Sequence, residues 1–213
     1  ILLAQRRVPG IRVVEERVGR ANQLEIAHVH SAIMPPMPRV PLAEFEPEFR
    51  KKLEELWGGE PPNLYKKLAN HPEVVAAWNV FASTLRHKSR TPRALRELVI
   101  LRGGQMMKSE YEWAQHLKMA RKAGVSEAQI QALSSWRKSS HFSDREKAAL
   151  GLAEAVTDGR VTDEVYPEAM RHFDHQDYVE LSVTAAFYAM VGRMPDAMGV
   201  QLEPEFRDYS PKL

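Results

Sequence analysis

Apolar positions recur at helical spacing along most of the chain. Val74, Trp78, Phe81 and Leu85 form one stripe. Leu95, Leu98, Val99 and Met106 keep the same spacing, with Arg102 among them, and so do Tyr178, Leu181 and Ala185. No stretch alternates apolar and polar residues as a half-buried strand would. The punctuation between stripes is also helical. Thr91-Pro92 reads as a cap followed by proline at the first helical position. Ser109 with Glu112, Ser126 with Gln129 and Ser143 with Glu146 each have capping-box spacing. Gly124 and Gly159 stand where helices should stop. The pattern predicts an all-α fold of about seven or eight helices, with no internal boundary beyond residue 41. Gly103-Gly104 inside a helical stretch is unfavourable by about 1 kcal/mol per glycine relative to alanine, which predicts close approach of another helix there.

Residues 1–33 break the pattern. They are arginine-rich, open on Ile and hold no sustained period. A proline-rich run, Met34 to Pro41, follows and favours extended backbone. The organisation expected is an N-terminal appendage, 1–33, and one helical domain, 34–213. Two readings of the appendage stand: a translated leader ahead of a natural start at Met34, or an N-terminal arm.

Composition narrows the chemistry. The chain of 213 residues carries a formal net charge of +2, too small for a strong nucleic-acid field. The arginine-rich leader also contains Glu15, Glu16 and Glu25 and lacks interleaved aromatics. The apolar run near Val183 to Gly192 is too short to span a bilayer. We therefore expect a cytoplasmic protein without nucleic-acid or membrane partners. There is no cysteine, so the chain has no disulfide, thiolate nucleophile or thiolate ligand.

The residues with the most chemical content lie between Arg93 and Gly124. Glu97 precedes the apolar run Leu98-Val99-Ile100-Leu101. A carboxylate there is partly buried and needs a partner, and Arg93 is one turn away. An ordinary surface ion pair between the two explains the spacing equally well. Downstream, Glu112 and His116 share a helix face with Trp113, Leu117 and Ala120. Histidine takes and gives protons near neutral pH, and a neighbouring carboxylate fixes its tautomer. A satisfied core histidine and a capping Glu112 are the structural alternatives.

Several runs, in order, resemble the carboxymuconolactone decarboxylase and alkylhydroperoxidase-D superfamily. They are Gly58 to Asn63, Asn70 to Glu73, Arg96 to Arg102, and above all Ser109-Glu110-Tyr111-Glu112-Trp113-Ala114-Gln115-His116, with Ala123 to Ser126 behind it. Later echoes are Tyr178 to Leu181, Phe187-Tyr188, Arg193 and Ala197 to Val200. The resemblance covers most of the chain beyond residue 38. It implies an alkylhydroperoxidase-D-like helical fold assembled as a homotrimer or homohexamer. Glu97 and His116 match the glutamate and histidine of the peroxidase motif, whereas Ser109 and Glu112 stand where its two cysteines would be. Serine has no accessible two-electron redox cycle, so thiol-peroxidase chemistry is not expected. The Tyr-Glu-Trp-x-x-His form looks like the cysteine-free branch, to which the decarboxylases are similar.

That resemblance implies a lyase of aromatic-compound catabolism acting on a small carboxylated, enolisable, lactone-type substrate. His116 would donate the proton, with Glu97 and Glu112 orienting it. Tyr111 or Ser109 would hydrogen-bond the developing oxyanion. Trp113 and Tyr188 would line the substrate site, and Arg193 would meet its carboxylate. No cofactor is expected. Two alternatives remain open: a metal-dependent enzyme using Glu97, Glu112 and His116, with further histidines at His28-x-His30 and His172-x-x-His175, and a non-catalytic helical oligomer that binds a small acid or a protein partner.

Overall fold

The structure is a computed structural model and describes residues 39–206. The appendage expected at 1–33, the start at Met34 and His28-x-His30 lie outside the described residues. The described residues form nine α-helices in order: α1 (Pro47–Trp57), α2 (Asn63–Leu68), α3 (Pro72–His87), α4 (Arg93–Met107), α5 (Glu110–Ala123), α6 (Glu127–Ala132), α7 (Asp144–Asp158), α8 (Val165–Met170) and α9 (His175–Met198). A 3-10 turn, Leu133–Lys138, extends α6, and another, Pro204–Phe206, closes the described chain. The described residues form no strand. The described residues hold nine helices against the seven or eight or so expected, and α2, α6 and α8 have only six residues each, too few for a periodic signal.

Helix α4 is the axis of the fold. It packs chiefly against α5, α7 and α9. Every residue from Leu95 to Leu101 is buried, so α4 is enclosed on all sides rather than amphipathic. Three apolar clusters surround it. One joins α1, α2 and α3 to the second half of α9 through Leu53, Tyr65, Trp78 and Phe187. A second fills the space between α4, α5 and the 3-10 turn with Leu98, Trp113, Leu133 and Trp136. The third packs α7 and α8 on α4 and α9 through Val99, Leu152, Phe173 and Leu181. Buried Lys67 donates to the carbonyls of Val40 and Met198, tying α2 to the end of α9.

The glycine pair does mark close approach. A methyl group on Gly103 would stand 3.4 Å from Thr157 Oγ1 of α7, and one on Gly104 would stand 3.7 Å from the Glu112 Cβ and Trp113 N of α5. Gly124 and Gly159 end α5 and α7 in the left-handed region, as expected. Two of the three capping boxes are complete, at Ser126 and Ser143. The Ser109 hydroxyl accepts from Glu112 N at 3.4 Å, but the Glu112 carboxyl does not reach back. That carboxyl turns inward instead. Thr91 is one residue too early to cap: α4 starts after Pro92, and the Thr91 hydroxyl donates to Glu180. The expected α3 stripe is also displaced. Trp78 and Leu85 are buried with Val75 and Ala82, while Val74 and Phe81 lie at the surface.

Candidate active site

Helices α4 and α5 bring Glu97 and His116 together from 19 positions apart in sequence. His116 Nδ1 lies 2.8 Å from Glu97 Oε2, and the other carboxylate oxygen is ion-paired with Arg93. Glu97 is 0% exposed and His116 3%. The Arg93–Glu97 pair is therefore not the surface pair that its spacing also allowed. Burial raises the Glu97 pKa, but His116 and Arg93 outweigh it and hold the carboxyl below its ordinary value. An ionised Glu97 accepts a hydrogen bond from Nδ1–H, which leaves Nε2 as the ring nitrogen free for chemistry.

Nε2 faces a second carboxylate. Glu112 Oε2 is 3.7 Å from it, beyond hydrogen-bond range, and has no hydrogen-bond partner. Burial pushes the Glu112 carboxyl up to about 7, against the opposing charges of His116 and Arg86, with Glu97 adding to the rise. One histidine thus stands between a carboxylate that is held ionised and a carboxyl that keeps its proton to near neutrality. The two carboxylates address opposite ring nitrogens, so the three side chains do not converge on one point as metal ligands would. Among the described residues, no group of three or more His, Asp or Glu side chains is placed to hold a metal ion. His172 and His175 instead engage Glu168 and Tyr166, respectively.

Glu112 and His116 open onto a cleft of about 360 Å³, part of it open to solvent. Its other walls include Trp57, Trp78, Arg86, Phe187 and Tyr188. Tyr188 lies edge-on to the His116 ring, with centroids 4.7 Å apart at 84°. Burial raises the pKa of its hydroxyl. The Arg86 charge reaches that hydroxyl without a well-aligned hydrogen bond between them.

The remaining expected residues divide. Tyr111 lines the cleft, but its hydroxyl accepts from Leu64 N at 3.2 Å and donates to Glu203 Oε1 at 3.0 Å. Both of its ordinary bonding directions are taken, so it braces the wall rather than offering a free donor. Ser109 caps α5. Trp113 does not line the cleft: its indole packs in the cluster on the other side of α5 with Leu98 and Leu133. Arg193 does not line it either: it is exposed and donates to Ala189 O at 2.8 Å. Position on α9 alone could not reveal which face this arginine takes.

Sequence reasoning missed Arg86, Trp57 and Trp78. Arg86 falls in the last turn of α3, where a basic residue reads as a complement to the helix dipole. Also missed was Glu203, which fastens the chain after α9 to the cleft wall by accepting from Asn63 N and Gln115 Nε2, each at 2.6 Å.

An all-helical arrangement built around a buried carboxylate–imidazole pair, with no thiol beside it, defines a cysteine-free protein with an alkylhydroperoxidase-D-like fold. More narrowly, the chain belongs to the carboxymuconolactone decarboxylase family, whose model matches residues 72–155. It is 35% identical over 115 residues to the uncharacterized protein YdfG of Bacillus subtilis (strain 168), which is 53% of this chain and 78% of that one. The fold is similar to that of an uncharacterized peroxidase-related protein with an alkylhydroperoxidase AhpD core from Ralstonia eutropha JMP134, with a TM-score of 0.69 and 20% identity over 80% of this chain and 95% of that one. It is also similar to the debrominase Bmp8 in complex with 2,3,4-tribromopyrrole, with a TM-score of 0.68 and 17% identity over 79% of this chain and 95% of that one.

Proposed function

We propose that the chain is a lyase of the carboxymuconolactone decarboxylase type, acting by acid–base chemistry on a small, carboxylated, enolisable substrate. The observation that carries this reading is the Glu97–His116 contact of 2.8 Å, buried and backed by Arg93. It fixes the ring and turns Nε2 toward the cleft wall that Glu112 shares. In the reaction, the bond from ring carbon to carboxylate breaks and carbon dioxide leaves. The electron pair passes into the adjoining unsaturated carbonyl as an enolate. Protonated Nε2 of His116 delivers a proton to carbon, and solvent restores it. Glu112, protonated near neutrality, supplies a hydrogen bond to the enolate oxygen, the role that sequence reasoning gave to Tyr111 or Ser109. No electrons are gained or lost overall, in keeping with a site that has Ser109 and Glu112 in place of thiols.

The test is a screen of lactone acids and related enolisable carboxylates for carbon dioxide release. Release from at least one lactone acid, above a heat-denatured control, is the expected result. Alkyl hydroperoxides supplied with a thiol reductant should show no turnover. Peroxide consumption without any decarboxylation would overturn the assignment.

A further inference from the structure

The cleft contains a cation without a counter-charge. The neighbouring arginines are ion-paired: Arg90 with Asp174 and Asp177, Arg93 with Glu97, and Arg96 with Glu180 at 3.8 Å. Arg86 pairs with no carboxylate among the described residues. Its guanidinium carbon lies 4.5 Å over the Trp57 ring, and Nη1 reaches the Tyr65 hydroxyl at 3.4 Å. Nε is buried and has no hydrogen-bond partner. The nearby Glu112 is a poor counter-ion at neutral pH, because its carboxyl holds a proton to about 7.

Two more donors in the same wall are unanswered. The indole nitrogens of Trp57 and Trp78 are buried without partners. Indole N–H and guanidinium N–H can only donate, so a ligand has to bring the acceptors. Buried donors without acceptors are rare, and three around one cleft point to a ligand. Apart from Glu112, Gln115 and His116, the remaining lining is mostly apolar or aromatic, including Phe187 and Val191, which suits a flat, unsaturated body.

We infer that Arg86 is the anion anchor of this cleft and determines its specificity, taking the carboxylate of a flat, unsaturated acid with the Trp57 and Trp78 indoles beside it. This rests on the cleft being the working site and replaces the role first given to Arg193. Planar guanidinium meets carboxylate through paired hydrogen bonds, which lysine cannot reproduce.

Calorimetric titration of the full chain with benzoate, and with benzamide as its uncharged counterpart, tests the inference without any turnover. Benzoate should bind the parent protein and benzamide much more weakly. Arg86→Met should weaken benzoate by about 30-fold or more, the usual penalty for truncating one side of a buried charge pair. Arg86→Lys should recover part of the loss, and Arg193→Met should bind as the parent does. Should Arg86→Met fail to fold, Arg86→Gln takes its place, and thermal unfolding checks every variant. Benzoate affinity unchanged in the folded Arg86 variants, benzamide binding as tightly as benzoate, or no benzoate binding to the parent at about 10 mM, far above the range of a built site, would each overturn the anchor. Arg86-dependent benzoate binding in a protein that decarboxylates nothing would leave the anchor standing and sink the lyase reading instead.

Discussion

At the scale of single residues, the site is a division of labour between two carboxyls made unlike by their surroundings. Glu97 has Arg93 and His116 within contact and stays ionised. Glu112 is just as enclosed, and the His116 and Arg86 charges near it do not outweigh its burial, so its pKa rises to about 7 from an ordinary 4.5. The consequence for stability has a definite sign. As pH climbs from 4.5 to about 7, the unfolded chain releases the Glu112 proton and the folded chain does not. The folded state therefore loses stability across that window, by about 3 kcal/mol in all, and loses no more above it. Glu112→Gln removes this penalty. The variant should be more stable than the parent at about pH 8, by up to about 3 kcal/mol, and nearly equal to it at about pH 4. Urea unfolding at both values checks this, and an equal effect at the two would rule it out. Glu97 behaves oppositely: its stabilisation is present above its unfolded pKa and is lost as pH falls through the lower folded one.

Helix-scale features explain which parts of the site could be read in the sequence. The apolar run after Glu97 announced that α4 is enclosed, and the Glu112–His116 spacing gave their shared face. Gly103-Gly104 announced the close packing that seats α5 beside α4. What one helix's periodicity cannot give is the rotation of another helix against it. That rotation decides that Trp113 packs away from the cleft, that Arg193 faces out and that Arg86 faces the cleft. The turn between α4 and α5 also departs from local preference. Lys108 caps α4 with φ of 54°, a left-handed conformation that glycine adopts more readily. Lys108→Gly should therefore stabilise the protein by about 1 kcal/mol without moving Ser109 or the site. Chemical denaturation measures it, and a loss of stability would show that the lysine side chain contributes more than its backbone strain removes.

At the scale of the whole molecule, large apolar side chains stay exposed on both α3 and α9. Val80 is 69% exposed and Val179 59%, with Val74, Phe81 and Met190 each over 40%. Phe81 packs edge-on against Phe187 of α9, with centroids 5.1 Å apart, so the exposed face adjoins the wall of the cleft. A patch of this kind on a family fold expected to be trimeric or hexameric should be covered by other copies of the chain. Light scattering should return an oligomer, and Val80→Asp with Phe81→Asp should reduce its mass. A monomer mass across a broad concentration range would exclude this. No described helix is long and apolar enough to cross a membrane, so the patch is not part of a helical membrane span.

Whether His116 carries the proton is decided by turnover per folded molecule in His116→Ala, measured beside its thermal unfolding. Loss of a general acid typically lowers turnover by roughly 10²- to 10⁴-fold. A fall in that range with the fold intact is expected, because Trp113, Leu117 and Ala120 still pack α5 against α4. A histidine that serves only structure would give the reverse, since its loss leaves the buried Glu97 short of a partner. Full activity per folded molecule with a lowered melting temperature would show that His116 is not the proton donor.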